Sequence, residues 1–218
     1  MNSRKVSFSK IFLLLISLSG CFALIAQFYL IIANRTASVA ETVTRYFSFF
    51  TILTNLLVII CSTILFFGKD RSKNTFFYRP QTIAAIAVYI TVVGLVYNLI
   101  LRFLWQPQGL QFVVDELLHT IIPILFILFW LLFVPKSGLR LKDIFPWLLY
   151  PFFYIIYILI RGAFSGFYPY PFINVNELGY NKVFLNSGIL VAVFVVFSLL
   201  FVVIGNLIIR RSNLTNSN

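Results

Sequence analysis

The chain of 218 residues holds one histidine, two cysteines, one methionine and six carboxylates. With a single histidine and no Cys-x-x-Cys pair, no zinc-type ligand set can be assembled, so no metal is expected. Cys21 and Cys61 both fall inside apolar runs. They imply no disulfide framework and read as small core residues. No Gly-x-Gly-x-x-Gly follows a strand-like segment, which removes the usual dinucleotide fingerprint and leaves no cofactor to expect. Charge is scarce as well. Only 11% of residues are charged, against about a quarter in a soluble domain. A water-soluble globular fold is excluded on that ground.

Apolar residues fill the gap. They make up 61% of the chain, with 26 Phe and 11 Tyr, and mean hydropathy is +0.97. A helix needs about 20 apolar residues to cross the hydrocarbon core of a bilayer. Six stretches approach that length, roughly 11–33, 46–67, 82–104, 117–134, 145–163 and 183–209. The expected fold is therefore all-α, one polytopic domain over 1–218 built as a bundle of six transmembrane helices. Pro123, Pro146 and Pro151 lie inside or beside these runs; neighbouring helices can satisfy the carbonyls that proline frees. There is no internal repeat and no pair of Gly-interrupted half-helices, so a transporter built on inverted repeats gains no support.

The net charge of +11 does not point to nucleic acid, because the basic residues sit between or beside the apolar runs. There they set topology and meet lipid headgroups. Twelve Lys and Arg fall on the side of the termini: Arg4, Lys5, Lys10, Lys69, Arg71, Lys73, Arg79, Lys136, Arg140, Lys142, Arg210 and Arg211. Five fall on the other: Arg35, Arg45, Arg102, Arg161 and Lys182. Both termini are expected to be cytoplasmic. Leu18-Ser19-Gly20-Cys21 has the form of a lipoprotein cleavage box and Ser38-Val39-Ala40 that of a signal-peptidase site. The apolar run continues for about ten residues past Cys21 and exceeds the 7–15 residues of a signal core, so it reads as a retained first span.

Under this topology the polar side chains of five spans meet in the outer half of the bilayer. The second span brings Thr51, Thr54 and Asn55, the third Asn98 and Arg102. The fourth brings His119 near its start, with Asp115 and Glu116 at its mouth. The fifth brings Tyr154, Tyr157 and Arg161, and the sixth Asn186 and Ser187. Intramembrane ionisable groups are costly and usually face a cavity or a partner. Asp115 and His119 are four apart, so a carboxylate on the same face can orient the imidazole. Thr51 or Thr54 supplies a hydroxyl for a histidine to activate. Asn55, Asn98, Arg102, Tyr157 and Arg161, with Thr54, are the candidate substrate-binding groups, and Asn55 and Asn98 are candidate oxyanion donors. Each also has a plain structural use: Thr as a bond to its own i−4 carbonyl, Asn as a link between helices, Arg as an interfacial anchor.

Phe50-Thr51 near the start of the second span, His119-Thr120 with Pro123 in the fourth, and Gly166-Phe167-Tyr168-Pro169-Tyr170-Pro171-Phe172 before the sixth form a recognisable series. In that order the chain resembles the bacterial six-span "Pr-six-Pr" membrane proteins and, beyond them, the androgen-induced family of small membrane hydrolases. The likeness runs over roughly 10–210. It implies an enzyme of a bacterial cell membrane that cleaves fatty acid esters of hydroxy fatty acids, a lipid substrate, with Thr51 as nucleophile and His119 as its partner. Thr54 stands where the family pattern has an aspartate, which leaves Thr51 and Thr54 both open as nucleophile. A non-catalytic transporter, lipid-binding or assembly protein is the alternative.

Overall fold

The structure is a computed structural model that describes residues 3–68 and 76–215, with the side chains of 8–68 and 76–211. Lys69, Arg71 and Lys73 of the charge pattern lie outside the described residues, as do the side chains of Arg4 and Lys5. The described chain forms α1 (Ser3–Ala33), α2 (Val39–Tyr46), α3 (Phe50–Phe67), α4 (Pro80–Leu99), α5 (Leu110–Glu116), α6 (Ile122–Phe133), α7 (Ile144–Ser165) and α8 (Val175–Thr215). A π-helical turn, Leu117–Ile121, joins α5 to α6. The described residues contain no strand. Six segments are long and apolar enough to cross a membrane: Phe8–Ala33, Phe50–Phe67, Pro80–Leu104, Leu110–Phe133, Leu141–Ser165 and Val175–Arg211. The all-α, six-span bundle expected from the apolar runs is thus present, and the protein is an integral membrane protein.

The boundaries move where amphipathic turns adjoin apolar ones. The second span starts at Phe50 rather than 46, because Val39–Tyr46 forms its own short helix and 47–49 break the chain before α3. The fourth starts at Leu110, seven residues early. Asp115 is therefore not at a water-facing mouth but well inside the helix, 3% exposed. The sixth begins at Val175, with a break at Gly179. Gly166, at φ 70°, closes α7 in the left-handed conformation, which side chains beyond glycine resist.

α4 is the most buried span and runs through the middle of the bundle, against α3, α6 and α8. Its polar side chains repair the helices around it. Pro151 has no N–H for the Trp147 carbonyl, and the Tyr89 hydroxyl donates to that carbonyl at 2.7 Å. Pro123 likewise frees the His119 carbonyl, to which the Asn98 amide donates at 3.1 Å. A freed carbonyl in a lipid-surrounded bundle has no water to turn to, so such partners are needed. Gly94 lets the backbones approach here: a Cβ on it would lie 3.1 Å from the His119 carbonyl oxygen and 3.3 Å from Pro123.

Outward faces are apolar, as lipid contact demands; Phe103, Phe145 and Phe164 are 73% exposed or more. Cys61 is buried, but Cys21 is exposed. The expectation that both are core residues fails for Cys21, because every side of a lipid-facing helix is apolar and the pattern alone does not say which side packs.

At the end of α6 the buried Lys136 turns back and donates to the carbonyls of Trp130, Leu131 and Val134. Its ammonium also lies 4.4 Å from the Trp130 ring centre. A cation there caps the orphan carbonyls of a helix C-terminus and meets its negative dipole end. Lys136→Met is expected to lower stability by about 1–3 kcal/mol, the cost of unpaired buried carbonyls. A thermal-unfolding shift in detergent measures it, and an unchanged midpoint contradicts the capping role.

Candidate active site

The site lies at the end of the bundle opposite the termini, where α3 begins. Phe49, the residue before α3, makes no side-chain cap. Two tyrosines cap the helix from elsewhere in the chain. The Phe50 N–H donates to the Tyr154 hydroxyl at 3.2 Å, and Tyr154 in turn donates to the Ser48 carbonyl at 2.9 Å. The Thr51 N–H donates to the Tyr170 hydroxyl at 3.3 Å. The Thr51 hydroxyl lies 3.4 Å from that same Tyr170 oxygen. Burial holds the Tyr170 phenol above its ordinary pKa, so it stays protonated and can donate.

Across from α3 stands the π turn. There the Ile122 N–H turns to the Leu117 carbonyl, which leaves the Leu118 carbonyl outside the regular ladder beside the His119 carbonyl that Pro123 frees. The Asn55 amide donates to the Leu118 carbonyl at 3.2 Å and to the Thr51 carbonyl at 2.9 Å. The Asn98 amide donates to the His119 and Gly94 carbonyls at 3.1 and 2.8 Å. Both amide groups are therefore committed to backbone carbonyls. Neither has an N–H left for an oxyanion, and the expectation of that role is corrected. π turns inside α-helices recur at functional sites, because they re-aim one side chain.

That side chain is His119. Its ring stacks on Tyr97, with centres 3.8 Å apart and planes at 12°. Its Nδ1 lies 2.9 Å from the Asp115 carbonyl oxygen. A carbonyl only accepts, so Nδ1 carries the proton and Nε2 keeps its lone pair. Nε2 has no hydrogen-bond partner among the described residues. The Asp115 carboxylate does not touch the imidazole; it accepts from Tyr97 at 3.2 Å and Gln111 at 3.1 Å. The main chain of Asp115, not its side chain, thus fixes the ring. The four-residue spacing does bring the two residues together, but through the backbone, while the carboxylate is held by Tyr97 and Gln111.

Thr51, Asp115 and His119 line one cavity of about 290 Å³ together with Tyr97, Gln111 and Tyr170. Thr51 and Tyr170 also line a narrower apolar slot between α4, α7 and α8, walled by Val92, Val96, Ile155 and Phe194 among others. The pair stands where this cavity and the slot meet. The hydroxyl of Thr51 and the ring of His119 share the cavity without bonding each other. Thr54 is absent from it. It is fully buried and its hydroxyl pairs with Tyr150 at 3.2 Å.

The remaining candidates are held within the protein. Arg102 pairs with Glu116 and donates to Thr120 at 3.3 Å. Tyr157 is 39% exposed and lies 3.5 Å from the Ser48 hydroxyl. Arg161 is buried, pairs with Glu41 at 2.7 Å, and donates to the Phe167 carbonyl at 3.3 Å. It pins α2 and the 166–174 loop to α7. The Arg45 hydrogen bond, ahead of Arg161, holds the Glu41 carboxyl below its ordinary value. A depressed carboxylate pKa stabilises above the unfolded value and loses that contribution as pH falls through the folded one. Stability is expected to drop as pH falls below about 4.5, the unshifted glutamate value. Glu41→Gln is expected to flatten that part of a melting-temperature-against-pH profile, whereas an unaltered profile shows the network to be idle.

Three residues of the site are not singled out by the sequence. Tyr170 stands there only as one tyrosine of an aromatic loop, and Tyr97 and Gln111 stand in no motif. With 11 tyrosines in the chain, no single one stands out. No protein-family model, curated protein or solved structure matches the chain.

Proposed function

We propose that the protein is an intramembrane hydrolase of lipid carboxylic esters, of the fatty acid ester of a hydroxy fatty acid type, with Thr51 as nucleophile and His119 as base. The observation that carries this reading is the pairing, in one cavity, of a threonine at a helix N-terminus with a histidine whose Nε2 lone pair is free. Thr51 Oγ1 attacks the ester carbonyl carbon while its proton passes to Nε2, directly or through one water. The carbonyl becomes an oxyanion, met by the Tyr170 hydroxyl and the positive end of α3. The alcohol leaves with the proton from His119, and water, deprotonated by the same nitrogen, releases the acid from acyl-Thr51. The apolar slot beside Thr51 receives a hydrocarbon chain.

Thr54, engaged with Tyr150 outside the cavity, is the poorer nucleophile. A second reading rests on the bonds that Asn55, Asn98, Arg102 and Arg161 make within the bundle: the polar set then serves helix packing alone. A fluorophosphonate probe on purified protein separates the two. Covalent labelling at Thr51 is expected; an unlabelled, folded protein that hydrolyses no long-chain ester leaves the packing reading.

The charge pattern supports the further proposal that both termini are cytoplasmic and that the site opens to the outer face of the membrane; that this is a bacterial cell membrane is what the family resemblance implies. A reporter after Asn218 is expected inside and one near residue 108 outside. Reversed signals move the site to the inner leaflet.

A further inference from the structure

Next to the site cavity lies a wider depression of about 750 Å³, lined by Gln27, Asn34, Arg35, Arg45, Trp105 and Gln111 among others. The two spaces share a wall: Gln27, Ile31, Phe49, Trp105 and Gln111 border both. No carboxylate lines the depression. Glu41 is shared between Arg45 and Arg161, so the group of Arg35, Arg45 and Arg161 keeps an excess of two positive charges over it, and the Asp115 carboxylate, behind the shared wall, accepts from Tyr97 and Gln111. Their donors are not all used. Arg35, just past the end of α1, donates through Nη1 to the Ile32 carbonyl of that helix at 3.1 Å. Arg45 donates through Nε to Glu41 at 2.8 Å, with its guanidinium 4.5 Å from the Phe167 ring centre. The side-chain amides of Gln27 and Asn34 stand around them, the Asn34 amide with one bond to the Leu30 carbonyl at 3.0 Å, while the Gln111 amide donates to Gln27 at 2.9 Å and to Asp115 at 3.1 Å.

A concave space with surplus guanidinium charge, amide donors and an apolar cavity behind it matches one kind of molecule. The charge and free donors suit a carboxylate or phosphate, which a guanidinium fork meets with two parallel bonds. The shared apolar wall of Ile31, Phe49 and Trp105 suits the chain attached to it. We infer that this vestibule binds the anionic head of a single-chain amphiphile whose chain passes Trp105 into the site cavity, with Arg35 and Arg45 as the head-binding residues. As a substrate site it rests on the proposed hydrolase; as a binding site it does not, since binding needs no ester.

Trp105 is 47% exposed and borders both spaces, whereas Trp130 and Trp147 are buried. Its fluorescence therefore reports occupancy. The protein in nanodiscs of zwitterionic lipid is titrated with dodecyl phosphate, dodecanoate and dodecanol, none of which carries a carboxylic ester. Saturable fluorescence changes are expected with both anions and not with the alcohol, and they are expected to vanish in Trp105→Phe. The tighter of the two anions tells phosphate from carboxylate. Arg35→Gln is expected to weaken anion binding about tenfold or more, the effect of one charged hydrogen-bonding group; Arg35→Lys is expected to recover part of it. Raising salt on the unmodified protein is expected to weaken the anions too, because the contact is near water. Equal responses to dodecanol and the anions, or Arg35→Gln binding as the parent does, overturn the inference and leave Arg35 a general contact to lipid headgroups. Anion binding without probe labelling at Thr51 keeps the vestibule and removes the hydrolase; labelling without anion binding does the reverse.

Discussion

Thr51→Ala and His119→Ala are each expected to abolish fluorophosphonate labelling and to lower long-chain ester hydrolysis by at least about 10²–10⁴-fold, the worth of general-base help to a poor nucleophile. The double variant is expected to be no worse than either single one, because members of one catalytic unit are not additive. Thr54→Ala is the control. Its hydroxyl pairs with Tyr150 outside the cavity, so labelling is expected to persist. Asp115→Asn is expected to cost less than either core substitution, since the main-chain carbonyl that holds His119 survives it. If Thr54→Ala alone removes activity, the nucleophile is assigned one helical turn wrong. If all these variants fold and hydrolyse at the parent rate, the cluster is not catalytic.

The second large effect concerns the two asparagines. Asn55→Leu and Asn98→Leu together leave the Leu118 and His119 carbonyls without their donors. Interhelical hydrogen bonds in membranes contribute about 0.6 kcal/mol on average and up to about 1.7, so a loss of about 1–3 kcal/mol is expected in a detergent unfolding series. The more telling change is at the site. The π turn is expected to relax toward a regular helix, rotating His119 off Tyr97 and out of the cavity. Labelling should then fall in the double variant even at temperatures where it stays folded. Full labelling with both amides gone contradicts this account of how His119 is held.

How much of the molecule is legible in the sequence varies with the kind of signal. The spans are legible because hydrocarbon admits only long apolar runs. Their starts are less so: Leu-Gln-Phe-Val-Val-Asp-Glu at 110–116 carries too much polarity to count as membrane, although its helix continues through the π turn into α6. The gathering of Thr51, Asp115 and His119 at one end is legible from topology and depth. Which atoms meet is not. Thr51 and Thr54 are three apart on one face, and only the tertiary placement of Tyr150 and Tyr170, from different parts of the chain, separates them. The π turn leaves no mark except Pro123, which promises a freed carbonyl but not its direction. Nor does any pattern reveal that Asn55 and Asn98 are already taken by backbone.

The caps on α3 bear on when this end of the bundle takes shape during synthesis. The backbone N–H of Phe50 waits for Tyr154 and that of Thr51 for Tyr170, 104 and 119 residues further along the chain. Until the fifth span and the loop after it have left the ribosome and docked, the first turn of α3 lacks these two partners and its end is free to fray. A nascent chain in a lipid bilayer is surrounded by esters. By tying Thr51's own backbone to a tyrosine made so late, the fold leaves the proposed nucleophile without this support until nearly the whole bundle is in place.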